Sequence, residues 1–137
     1  MNREIKFRAW LKDAKFFAEI RQISFFEGET VVKIYDQPMS EEVWFDLEDL
    51  ELLQYTGLND KNGVEIYEGD IIASQNSDRD NWYVSHHEVV WHDAGLQAKQ
   101  ICSNGSHIGL SYWTRGENGY VVIGNIYENP ELLEATQ

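Results

Sequence analysis

Cysteine, proline, basic residues and long apolar runs are all scarce in this chain. A single cysteine, Cys102, stands among 137 residues. It has no intrachain partner, so a disulfide scaffold is excluded and a reducing cytoplasm is the expected setting. The apolar runs are short, Val121-Val122-Ile123 being typical. A membrane-crossing helix needs about 20 apolar residues in a row, so no membrane partner is expected. The opening Met1-Asn2-Arg3-Glu4-Ile5-Lys6 has none of the apolar stretch of a secretion signal.

Eleven basic side chains face 24 acidic ones, a net charge of −13. The imbalance is uneven. Residues 1–40 hold seven basic and six acidic groups, a net of +1, while residues 41–137 hold four and eighteen, a net of −14. The second part repels phosphate backbones and anionic membranes, so nucleic acid is not an expected partner. Only Arg3, Lys6, Arg8, Lys12 and Lys15 are placed to meet a polyanion, and their plainer role is the solvated face of a strand pair.

An apolar fraction of 42%, with five Trp, seven Tyr and six Phe, suffices for a core. Its patterning is that of strands. Glu4-Ile5-Lys6-Phe7-Arg8-Ala9-Trp10 alternates charge and bulk at period two, which predicts Ile5, Phe7 and Ala9 on the inner face. Residues 16–20, 23–26 and 30–35 continue as strands across the turn at Glu27-Gly28. Residues 39–50 read as a connector, helical or extended, and mark a boundary because the charge balance changes there. Beyond it come strands at 52–56, 65–67, 71–73, 82–91, 107–114 and 120–123, closed by turns such as Asn62-Gly63. Residues 94–105 read as loop. Pro130 opens a short helix with Asn129 as its cap. The expected fold is mainly β with short helical segments. A strand-rich N-terminal segment with its connector (1–50) precedes a small C-terminal SH3-like or similar β-barrel with a short helix (51–137).

Leu53-Gln54-Tyr55-Thr56-Gly57-Leu58-Asn59-Asp60-Lys61-Asn62-Gly63-Val64-Glu65-Ile66-Tyr67-Glu68-Gly69-Asp70-Ile71-Ile72 resembles the central motif of the YopX family of phage and prophage proteins. The opening Arg3-Glu4-Ile5-Lys6-Phe7-Arg8-Ala9-Trp10 and the closing Val122-Ile123-Gly124-Asn125-Ile126-Tyr127-Glu128-Asn129-Pro130-Glu131-Leu132-Leu133 are similar to the family's two ends. The resemblance implies a small phage-encoded protein, mainly β, acting in the cytoplasm of a bacterial host. It implies no established activity, so no catalytic residue is carried over.

The strongest metal candidates are His86, Glu88 and His92, which share one face of a strand. Positions 86 and 88 lie about 7 Å apart, within reach of one ion, but 92 lies about 13 Å beyond 88. Further ligands would have to come from Cys102 or His107. The plainer reading is a polar strand face, and no cofactor is expected. Asp60, Asn62 and Gly63 match three positions of a calcium loop, but Leu58 and Gly69 fail at its first and twelfth. Trp10 and Trp91 are expected in the core, and Trp44 leans the same way. Phe7, Trp10, Phe16, Phe17, Phe25 and Phe26 are the candidate contact residues of the near-neutral N-terminal strands. The expected function is non-enzymatic: a phage accessory protein that self-associates as a homo-oligomer and meets an unidentified host or phage protein. An acidic mimic of DNA and a metal enzyme built on the histidine strand are the alternatives.

Overall fold

A computed structural model describes residues 4–37, 39–74, 86–101, 107–109 and 120–133. The fold is mainly β. Its strands are β1 (Phe7–Leu11), β2 (Phe16–Phe26), β3 (Glu29–Asp36), β4 (Glu41–Asp46), β5 (Leu50–Asn59), β6 (Glu65–Tyr67), β7 (Asp70–Ser74), β8 (His86–His92), β9 (Gly95–Gln100), β10 (His107–Gly109) and β11 (Tyr120–Asn125). Single 3-10 turns follow β4 and β11, at Leu47–Asp49 and Pro130–Leu133. The chain divides into two compact units in the middle of β5: Ile5–Gln54, and Tyr55–Gln137 together with Met1–Glu4.

The N-terminal unit is an antiparallel sheet in the order β4-β3-β2-β1-β5. Ala9, Leu11, Ala18, Val32, Ile34 and Leu50 are buried together, with Phe16, Ile20, Ile23, Val43, Phe45 and Leu52 packed against them. The register explains this common face, since Ala9 lies opposite Ala18 and Leu52, and Ile34 opposite Val43. A bulge between Ile20 and Gln22 makes Arg21 the extra residue of β2. The segment read as a connector is in fact the edge strand β4. Two consecutive glutamates obscure an ordinary alternation in which Val43 and Phe45 face the core, while Glu42 and Trp44 face outward. Trp44 is exposed, with the Lys33 ammonium 5.2 Å from its ring, rather than part of the core. Ile5, expected inward, is exposed as well, because β1 begins two residues later.

The C-terminal unit is a five-stranded antiparallel sheet in the order β10-β9-β8-β7-β11, with β6 paired to the end of β5. Among the described residues the sheet is open, with β10 and β11 as its outer strands. Ile66, Ile72, Val89, Ala98 and Tyr120 form its buried cluster. The interior strand β7 is buried on both faces through Asp70, Ile71, Ile72 and Ala73. Trp91 shares the face of Val89 by alternation, yet it is 57% exposed, because the strand outruns the core beside the turn at Asp93 and Ala94. The loop expected over 94–105 contains β9 instead. Strand expectations at 82–85 and 110–114 lie outside the described residues.

Ile71 has no exposed surface. Its truncation to alanine removes buried methyl groups and leaves a cavity between two covered faces. Ile71→Ala is expected to lower stability by about 2–5 kcal/mol in urea unfolding. A loss below about 0.5 kcal/mol would mean that this strand does not lie in the core.

Candidate functional site

Among the described residues, the histidine strand brings no group of three metal-ligating side chains together. His86, Glu88 and His92 are half-buried along β8, lying opposite Ala73, Ile71 and Gly95 respectively. None of these neighbours is a ligand. The His92 Nε2 instead lies 3.3 Å from the Asp93 carboxylate. Among the described residues no three His, Cys, Asp or Glu side chains come together to hold an ion. Cys102 lies outside the described residues. The histidine that the fold does bury is His87, whose ring sits 5.2 Å from that of Tyr120. Period two counted back from Val89 was the available signal for its inward direction.

Glu88 faces Lys99 on β9, beside a pocket of about 190 Å³ that Ile101 and Leu133 also line. Burial pushes its carboxyl above the ordinary carboxylate range, against the opposing pull of the Lys99 ammonium.

The central and closing motifs meet through buried polar groups. Asp60 Oδ1 accepts the backbone N–H groups of Asn62 and Val64 at 2.8 and 2.9 Å. Its Oδ2 accepts the Val122 N–H at 2.9 Å, and the Lys61 N–H donates to the Tyr120 carbonyl. One carboxylate therefore shapes the turn and covers the outer edge of β11. Both Asp60 oxygens thus hold backbone donors. Gly63 completes the turn at a φ of 84°, where a side chain would be strained. Asp70 Oδ2 accepts the Tyr67 N–H at 2.8 Å, and the Gly69 carbonyl accepts the Ile126 N–H at 2.9 Å. Asn125 Oδ1 accepts the N–H groups of Tyr127 and Glu128. The Asn129 side chain turns back to the Asn125 N–H rather than capping the following 3-10 turn. A Cβ on Gly124 would sit 2.5 Å from Asn129 Oδ1, so a side chain there must displace the amide that accepts the Asn125 N–H.

The six aromatic contact candidates fall into two groups. Trp10 is 9% exposed and meets Phe17 edge-on at 4.9 Å, with the Arg8 guanidinium 4.4 Å from the Phe17 ring. Phe7 is half-buried, and Phe16 packs on the core. Phe25 and Phe26 are different, at 79% and 68% exposed. Their exposure follows from strand lengths. β1 pairs with β2 only as far as Ala18, and β4 pairs with β3 only as far as Val31. Among the described residues, 25–30 therefore pair only with each other, as a two-stranded arm, while Ser24 lies opposite Val31 at its base. A two-residue turn at Glu27 and Gly28, both at positive φ, closes it. Two adjacent strand residues point to opposite faces, so both faces of the arm carry a bare phenyl ring.

Two changes test this account. Asp60→Ala leaves three backbone donors of partly buried hydrogen bonds without their carboxylate and is expected to lower unfolding free energy by about 1–3 kcal/mol, whereas a loss below about 0.5 kcal/mol would show that the carboxylate is dispensable. For Glu88 the folded state binds the proton more tightly than the unfolded chain. Its ionisation penalty is absent below the ordinary carboxylate value, and it grows as pH rises through the raised one. Glu88→Gln should therefore raise the melting temperature relative to wild type at pH 7, the difference vanishing near pH 4. Equal melting temperatures at pH 7 would contradict a desolvated carboxylate.

No curated protein matches the chain. Among solved structures it is similar to that of protein EF1440 from Enterococcus faecalis, at 28% identity and a TM-score of 0.63, over 96% of this chain and 99% of that one. The family model described as YopX protein matches residues 6–134, nearly the whole length, and the chain belongs to the YopX family.

Proposed function

We propose that this protein is a non-enzymatic interaction and self-assembly module that acts by contact with copies of itself and with a further phage or host protein. The observation that carries this reading is the arm at residues 25–30, with Phe25 and Phe26 bare on its two faces. An isolated two-stranded hairpin is at best marginally stable in water, and its open edges are templates for another strand. A partner that covers both rings removes apolar area from water and completes the pairing. The buried carboxylates of Asp60 and Asp70 hold backbone N–H groups, which is structural rather than catalytic work. A net charge of −13 opposes indiscriminate aggregation, so association is specific and closed by symmetry.

Light scattering on the full-length protein at micromolar concentration and physiological salt should report a mass that is a multiple of 16.0 kDa. A uniform 16.0 kDa species would sink self-assembly and put acidic mimicry of nucleic acid ahead of it.

A further inference from the structure

The self-assembly reading, on which this inference rests, leaves open which strand edges meet. Two edges of the N-terminal unit lie outside the described ladders: β4, and β2 beyond Ala18. They differ in charge. β4 reads Glu41-Glu42-Val43-Trp44-Phe45-Asp46, with three carboxylates and no cation. Antiparallel pairing of two such strands with Val43 opposite Trp44 sets Glu41 against Asp46 of the second copy at both ends. Like charges directly opposite each other oppose pairing, so β4 guards itself against self-recognition.

β2 is built the other way. After its bulge it runs Arg21-Gln22-Ile23-Ser24-Phe25-Phe26, and Glu27 begins the turn. Arg21 and Glu27 are equally spaced about Ser24. Arg21 stands exposed at the base of the arm, its guanidinium 4.8 Å from the Tyr35 ring centroid and 3.6 Å from the Glu19 carboxylate. Glu27 stands exposed at the tip.

We propose that two copies of this chain pair antiparallel through β2, with Ser24 on the twofold axis. In that register Arg21 of each copy lies opposite Glu27 of the other, giving two ion pairs at the ends of one contact. Ile23 and Phe25 lie on the core-facing side of β2, and Phe25 of each copy falls beside Ile23 of the second. Phe26 falls beside Gln22 on the other side. The two arms merge into a four-stranded sheet in the order β3-β2-β2-β3, which completes the open hydrogen-bonding edge of both β2 strands. Shifting the register by two residues keeps the faces but separates Arg21 from Glu27, so charge selects this alignment from those that the apolar pattern allows.

Charge reversal on the full-length protein tests the register. Arg21→Glu alone, or Glu27→Arg alone, places like charges at both ends and is expected to weaken the dimer by about tenfold or more in sedimentation velocity. An equimolar mixture of the two variants brings opposite charges together at both ends and should restore association to the wild-type level. Only contact between chains produces that rescue. Melting by circular dichroism establishes that each variant is folded. Glu27→Arg lies in an exposed turn, so its weakened association stands as a test even where Arg21→Glu fails to fold. A mixture no tighter than its separate components, or single variants that associate like wild type, would overturn the register while leaving self-assembly in place. A monomeric wild-type chain would overturn both.

Discussion

The C-terminal unit depends on one carboxylate. Asp60 holds three backbone donors, two inside its own turn and one on β11, a strand sixty residues away in sequence. Hydrogen bonds to a charged acceptor are stronger than those between neutral groups, and the buried carboxylate would carry a desolvation cost without them. The consequence extends beyond the turn. With Val122 held by Asp60 and the Tyr120 carbonyl by Lys61, the outer edge of β11 is covered by the chain itself. β11 in turn pairs with β7, and Gly69, just before β7, bonds both Val89 and Ile126. Packing of Ile66, Ile72, Val89 and Tyr120 then supplies the apolar burial, but these hydrogen bonds determine which residues face one another.

The same unit shows what burial costs. β7 is covered on both faces, so its neighbour on β8 opposite Ile71 is drawn into a partly dry environment, and that neighbour is Glu88. Lys99 across the next ladder offsets the penalty without cancelling it. A polar residue beside a doubly buried strand resembles a catalytic acid in its raised proton affinity, yet its cross-strand neighbours are an isoleucine and a lysine. Perturbed acidity here follows from burial within the sheet, against the opposing pull of Lys99.

Turn chemistry made much of this fold legible from the sequence. Asn62-Gly63 and Glu27-Gly28 carry the residue that positive φ demands, and the hairpins around both were foreseen. The hairpin between β8 and β9 was missed because its turn is Asp93-Ala94, two residues at positive φ without a glycine. β9 itself offers only Leu96 and Ala98 as apolar markers in Gly-Leu-Gln-Ala-Lys-Gln, too small a signal for a strand. Period two gave the correct face for Trp91 but carried no information on where the core ends. The N-terminal aromatics posed the same difficulty. Nothing in the composition of Phe16, Phe17, Phe25 and Phe26 distinguishes the half-buried pair from the bare one; the reach of β1 and β4 along their neighbours does. The polar tasks of Asp60 and Asn125 were also hidden, since their partners are backbone groups that only the fold brings close.

A chain with a net charge of −13 that exposes two phenylalanines on an open arm combines repulsion with attraction, and range separates them. At physiological ionic strength the screening length is about 8 Å, so carboxylates farther than that from a contact weigh little on it. What remains is the charge of the contacting strands themselves. From Gln22 to Phe26 the arm carries none, and it is flanked by one cation and one anion, Arg21 and Glu27. β4 carries three carboxylates over six residues. The same screened solvent therefore tolerates an encounter along β2 and resists one along β4. Edge protection is thus selective in this unit, and the edge left without like charges is the one that ends in bare aromatic rings.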